Sequence, residues 1–403
     1  MGGTIYKALK IRVCPNKEQE TQILKTLGSC RFIYNQMLAE RIEVYENWKK
    51  SGEEKRVLYE HKYKTEREYK EEFEWLSEPD SIALQQARID LSVAYQNFFK
   101  SLSGKRKGGA VGYPKFHKKG QKDSYRTLAL SNNIDIDYER RKVKLPKLGW
   151  ITYRDKRGGI KGTIRQATVS RSKTGKYFVS ILFEQELVLP GVEITPNLKV
   201  KGLDMSLEKF YVDDLGNSPA YERIFRKNEN KLAKLQRKVS KKKKGSNNRK
   251  KAQLKVNKTY EKITNSRKDF SQKLSSKLVK ENDVIVVENL NLKAMAQCLN
   301  FGKSVNDLGY GAFLNQLNYK TLWYNKILIE ADKWYASSKT CSKCGYIYKD
   351  LQLKDRVFLC PSCGFEIDRD WNAGKNLKHY GLKELGLGQP DVKPMEILGC
   401  QGH

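Results

Sequence analysis

The chain has 403 residues, enough for two or three domains with a proper core, and 39% of them are apolar against 31% charged. Its formal charge is +32, a surplus that would repel itself in a free protein and therefore calls for a polyanionic partner. A membrane is the weaker choice. No run of about 18 apolar residues exists, and the start, Met1-Gly-Gly-Thr-Ile-Tyr-Lys7, lacks the apolar core of a signal peptide.

In chain order, Lys7 to Val13 alternates and reads as a short strand ended by Pro15. Residues 16 to about 102 turn helical. After Pro79-Asp80 a stripe of Ile82, Ala87, Ile89, Leu91, Ala94, Tyr95 and Phe98 marks the last of these helices. A basic, glycine-rich loop follows, Ser103-Gly-Lys-Arg-Lys-Gly-Gly109. From about 125 to 190 the chain reads as strands, with Ala167–Ser170 and Tyr177–Phe183 as a hairpin about Lys173-Thr-Gly175. Pro190 to Pro196 looks like a linker. A strand, a helical insert and then a β-rich stretch suggest a barrel with helices inserted after its first strand.

The remainder reads as α/β. Strand candidates are Lys199–Met205, Lys209–Asp213, Asp283–Glu288 and Lys326–Glu330, with a turn at Asp214-Leu-Gly-Asn217. A long basic helical hairpin, broken near Lys241–Ser246, lies between the second and third, and Val256, Tyr260, Ile263, Phe270, Leu274 and Leu278 give its second arm a packing face. The basic hairpin suits either a nucleic-acid channel or a merely solvated face. No internal repeat is visible, and residues 387–403 show no assignable pattern, leaving room for disorder.

Eight cysteines are present, four of them scattered (Cys14, Cys30, Cys298, Cys400). The other four form Cys341-x-x-Cys344 and Cys360-x-x-Cys363, each second cysteine followed by glycine. That is zinc-ribbon spacing: two tight turns brought together by a hairpin, with four thiolates on one structural Zn²⁺ and no open position for water. The pattern implies a reducing, cytoplasmic setting.

Chemistry then falls to carboxylates. Asp204 stands inside an apolar strand, where an unpaired charge is expensive. Glu288 closes Val284-Ile-Val-Val, a second buried strand, and Asp370 enters the helix that follows the ribbon. If the two strands are neighbours and the helix packs alongside, three hard oxygen ligands converge, suiting Mg²⁺ or Mn²⁺. Two such ions about 4 Å apart can serve phosphodiester hydrolysis. Taken singly, each acid has a plainer role: a strand end, a lysine partner, a helix N-cap.

Gly202-Leu-Asp-Met-Ser206, Ile285-Val-Val-Glu-Asn-Leu290 and Asp368-Arg-Asp-Trp-Asn-Ala373 resemble, in order, the three RuvC motifs of the TnpB/OrfB family. The family also sets its ribbon just before the third motif, as Ser338-Lys-Thr-Cys-Ser-Lys-Cys-Gly345 stands here. Further resemblances are Gly112-Tyr-Pro-Lys-Phe116, Asp123-Ser-Tyr-Arg126, Leu148-Gly-Trp-Ile151 and Gly175-Lys-Tyr-Phe-Val-Ser180, so the likeness runs from about residue 5 to 385. Ser206 departs from the glycine common in the family's first motif, but the acid is kept.

The resemblance implies an α+β multidomain chain. Residues 1–15 and 125–195 would form a wedge β-barrel, and 16–124 a helical recognition domain. Residues 196–386 would form a RuvC-like nuclease of RNase H fold, with the zinc ribbon inserted at 338–366. It implies metal-binding catalytic acids at Asp204, Glu288 and Asp370, rather than Asp368, holding two Mg²⁺ (or Mn²⁺). It also implies an RNA-guided endonuclease, one chain per guide RNA from the transposon end. Base pairing would select the double-stranded target, and the protein would read a short adjacent motif. The alternatives are a compact type V CRISPR effector, a cleavage-inactive guided repressor and a strand-transferring transposase. The intact acids argue against the repressor.

Overall fold

The structure, a computed structural model, describes residues 2–121, 123–155, 159–188, 191–298, 302–352 and 354–387. The residues 388–403, and with them the C-terminal tail and Cys400, lie outside this set. The chain divides into two units, residues 1–188 and 189–403.

In the first unit β1 (Gly2–Cys14) is longer than its alternating core suggested. It is followed by α1 (Lys17–Ser51), α2 (Lys55–Glu60), α3 (Glu66–Glu72) and α4 (Ser81–Leu102). The strands β2 (Ser124–Leu128), β3 (Asp135–Asp137), β4 (Lys142–Leu145), β5 (Gly149–Arg154), β6 (Thr163–Arg171) and β7 (Tyr177–Val188) complete it. Asn16 and Gln19 form a reciprocal capping box, which turns the chain out of β1 into α1. The sheet order is β2-β6-β7-β1-β5-β4-β3, with every ladder antiparallel. Among the described residues no ladder joins β2 to β3, so the barrel expected from the sequence is a half-barrel. One physical reason is the size of β3: three residues leave little backbone with which to close a sheet.

Alternation decides which face is covered. Leu9, Ile11 and Val13 of β1 are buried together with Val179, Ile181 and Phe183 of β7, and Ile23, Ile33, Leu84 and Leu91 of α1 and α4 lie in the same core.

The second unit contains β8 (Val200–Ser206), β9 (Phe210–Asp213), α5 (Ile224–Ser240), α6 (Asn247–Glu281) and β10 (Val284–Glu288). Then come α7 (Leu292–Cys298), α8 (Gly302–Leu308), α9 (Tyr310–Trp323), β11 (Ile327–Ala331), β12 (Val357–Leu359), β13 (Glu366–Asp368) and α10 (Arg369–Glu384). The sheet order is β11-β10-β8-β9: β10 runs parallel to both β8 and β11, and β9 returns antiparallel on β8. Each of the four strands starts within a residue of where its apolar run does.

A strand has a period of two, so its odd and even residues meet different neighbours. Leu203, Met205, Ile285 and Val287 share a core with Leu278 of α6 and with Phe313 and Leu317 of α9. Val200, Val284 and Val286 share the opposite core with Leu377 of α10. The even face of β8 and β10 is therefore the face of α10. No helix among the described residues is long and apolar enough to cross a membrane.

A candidate two-metal carboxylate site beside a four-thiolate cluster

Parity places the acids. Asp204 continues Val200 and Gly202 on the even face of β8, and Glu288 continues Val284 and Val286 on the even face of β10. The register pairs Val286 with Gly202 and Val287 with Leu203, so the next step along both strands sets Glu288 beside Asp204. The two carboxyls are close enough for each to perturb the other's protonation. Asp370 joins them from the first turn of α10.

The approach of α10 depends on missing side chains. A Cβ on Gly202 would lie 2.2 Å from the Gly374 carbonyl oxygen, and one on Gly381 would lie 2.4 Å from Cγ2 of Val286. Gly374 itself passes as closely over Asp213, where a Cβ would meet backbone at 2.8 Å. Helix and sheet can touch only because these positions are bare, and that contact fixes the height of Asp370 over Asp204. Two lysines tie the same layer together: Lys201 Nζ lies 3.2 Å from Asp213 and 3.1 Å from Asp214, and Lys378 Nζ lies 2.9 Å from Asp214.

Other residues of the helix start have separate duties. Asp368 is the N-cap, accepting from the backbone N–H of Asp370 and Trp371 at 3.0 Å each. That releases the Asp370 carboxylate, which Arg369 meets at 3.2 Å. Trp371 Nε1 donates to the carbonyl of Asp214. Fully buried Asn372 accepts from Ser342 N–H and donates to the Thr340 carbonyl, while Asn376 donates to the carbonyls of Ser337 and Thr340. Ser337, so held, donates its hydroxyl to Glu288 Oε1 at 2.6 Å.

Electrostatically the site asks for a cation. Burial, then the charges of Glu288 and Asp370, push the Asp204 carboxyl well above the usual carboxylate range. Burial raises Glu288 as well, against the Ser337 hydrogen bond and the neighbouring Asp204 carboxyl, which lower it. All three acids are only half-buried, so the site stays open to solvent on one side. Oxygen donors crowded in this way suit a hard divalent ion.

The four cysteines fit zinc. Sγ of Cys341 lies 3.8 Å from that of Cys363, and Cys344 lies 3.6 Å from Cys360, with all four within 4.8 Å of one another. A tetrahedron of Zn–S bonds of about 2.3 Å has edges of about 3.8 Å. Both turns are built alike: Gly345 N–H bonds back to Cys341 and Gly364 N–H to Cys360, each glycine with positive φ. β12 and β13 pair antiparallel on either side of the second turn, and β13 runs directly into α10. The carboxylates do not form a second such tight group among the described residues.

Ser337, Asn372, Asn376 and the paired glycines were not singled out from sequence. Asn372 did stand in the third motif and Gly202 in the first, but neither was given a role there.

Three family models match: "Helix-turn-helix domain" over residues 1–50, "Probable transposase" over 186–299 and "Cas12f1-like, TNB domain" over 310–377. The first covers β1 and α1, here a strand and one continuous helix. "Putative RNA-guided DNA endonuclease InsQ" of Escherichia coli K12 is 32% identical over 95% of this chain and 94% of its own. A "Putative RNA-guided DNA endonuclease" of Streptomyces pristinaespiralis is 33% identical over 99% and 95%. Among solved structures, a Cas12f1–sgRNA–target DNA complex matches in fold with TM-score 0.55 at 15% identity, covering 93% of this chain and 99% of that one.

Proposed function

Because this chain belongs to the TnpB/OrfB family of RNA-guided DNA endonucleases, we propose that it binds a transposon-derived guide RNA and cuts double-stranded DNA paired to that guide. The observation that carries the reading is the meeting of Asp204 and Glu288 on the one sheet face that α10, bearing Asp370, covers. Two Mg²⁺ ions (Mn²⁺ is an alternative) would supply an activated water and stabilise the leaving oxygen of the phosphodiester. Asp204 and Glu288 would hold them from the sheet and Asp370 from the helix. Ser337 orients the Glu288 carboxylate, and Arg369 keeps Asp370 turned into the site. Cys341, Cys344, Cys360 and Cys363 would hold one structural Zn²⁺.

Sequence selection would rest on base pairing, with the heteroduplex gripped through its backbone by the surplus of lysine and arginine. Residues 1–15 and 125–195, with the helical stretch 16–124, would hold RNA and read the motif beside the target. Residues 196–386 would cut.

The test uses the chain co-expressed with its native flanking DNA. Asp204→Ala, Glu288→Ala and Asp370→Ala should each take target cleavage below detection, while gel-shift affinity for guide-matched DNA persists. Cleavage surviving in any one of them would move the active site elsewhere. Recovery of only random host RNA would remove the guided reading.

A further inference from the structure

We infer that Trp334 is a base-stacking platform that sets the DNA strand in register with the carboxylates, an inference that rests on the nuclease reading above. Single exposed apolar side chains are ordinary on protein surfaces, and what distinguishes this one is its mounting. Trp334 is 82% exposed, yet its backbone belongs to a short arch anchored at both ends on Glu288. At one end Ala331 is the β-ladder partner of Glu288. At the other, Ser337 donates to the Glu288 carboxylate at 2.6 Å.

The arch between these anchors is braced by several hydrogen bonds. Trp334 N–H donates to Asp332 Oδ1 at 2.8 Å, Tyr335 N–H to the Asp332 carbonyl, and Ser337 N–H to that of Tyr335. Tyr335 Oη donates to the carbonyl of Asn376 on α10, and Asp332 N–H donates to Tyr380 Oη of the same helix. A large indole is thus left in water on a rigid support, with its Cα no more than three residues of chain, about 11 Å, from either anchor.

Lys333 adds charge to the platform, its Nζ standing 4.7 Å from the indole centroid. With the cation over one face of the ring, the other face suits a nucleobase and the charge its phosphate, and such stacking is indifferent to sequence because every base has a π-face. A guided nuclease needs that indifference at its cutting site. By reach alone, the stacked base lies within a few nucleotides of the bond that is cut.

The experiment uses the full chain with its guide RNA, and target DNA carrying 2-aminopurine at successive positions flanking the cut. In the Asp370→Ala background, stacking on Trp334 should quench one of these positions. The quench should vanish with Trp334→Ala added and persist with Trp334→Phe. In the otherwise unaltered chain, Trp334→Ala should slow cleavage about 5- to 100-fold with target affinity unchanged, and Trp334→Phe should restore most of the rate. Wild-type cleavage by Trp334→Ala overturns the platform. So does equal slowing by Ala and Phe with the 2-aminopurine signal unmoved, since that is the mark of a structural role. If the unaltered complex cuts nothing in Mg²⁺, the nuclease reading itself fails before any Trp334 variant is compared.

Discussion

In the proposed site Ser337, with no chemistry of its own, is placed to control a residue that would have it. Its hydroxyl bonds Glu288 Oε1, and its carbonyl is in turn held by the amide of buried Asn376. Outer partners of metal-ligating carboxylates fix ligand orientation, and their removal costs about 10- to 100-fold in metal affinity or activity. Ser337→Ala should therefore raise the Mn²⁺ concentration for half-saturation, read by titration calorimetry as well as by cleavage, by about that factor. Ser337→Thr, which keeps the hydroxyl, should recover most of it. Unchanged Mn²⁺ binding in the alanine variant would reduce Ser337 to packing. Asp204 and Glu288 were visible in the sequence because a charge within or closing an apolar strand is conspicuous. Ser337 was not, because its partner is 49 residues away and a serine before a ribbon carries no pattern.

At the level of elements, the ribbon and α10 act as one part. Asn372 and Asn376, four residues apart on the helix, bind the chain at Thr340 and Ser342 on either side of Cys341, the first of the proposed zinc ligands. Asp370 begins that same helix. Structural zinc contributes folding energy directly, so loss of the proposed ion should reach the carboxylates even though four protein ligands would leave it no open position for chemistry. Cys341→Ser should bring zinc content from about one ion per chain towards zero, lower the melting temperature and slow cleavage. Unaltered zinc stoichiometry by elemental analysis would remove the zinc assignment. Full activity without zinc would instead break the link between ribbon and helix. The cysteine spacing was legible because the turn dictates it, as was the strand at Val284–Val287. The seating of α10 was not. It depends on Gly202, Gly374 and Gly381 meeting backbone or valine across the interface, and a one-dimensional pattern does not say which glycines are opposite which. That the barrel is only half formed was not legible for a related reason: alternation marks strands but carries nothing about whether the last one reaches the first.

For the molecule as a whole, the governing quantity is the +32 formal charge. Like charges at that density oppose the compact state, and added salt weakens the opposition by shortening the screening length from about 30 Å at 0.01 M to about 8 Å at 0.15 M. Salt acts in the other direction on a complex with RNA, because phosphate contacts release counterions. Six to ten such contacts lose about 10³- to 10⁵-fold in affinity between about 50 and 200 mM salt. The RNA-free chain should therefore melt at a higher temperature as NaCl rises over that range, while its affinity for the co-purified RNA falls. Two measurements on one preparation, differential scanning fluorimetry and filter binding, should give slopes of opposite sign. An RNA-free chain whose melting temperature is flat or falling would mean that its lysines and arginines are already neutralised within the fold. RNA affinity indifferent to salt would mean that the surplus charge serves something other than a phosphate backbone.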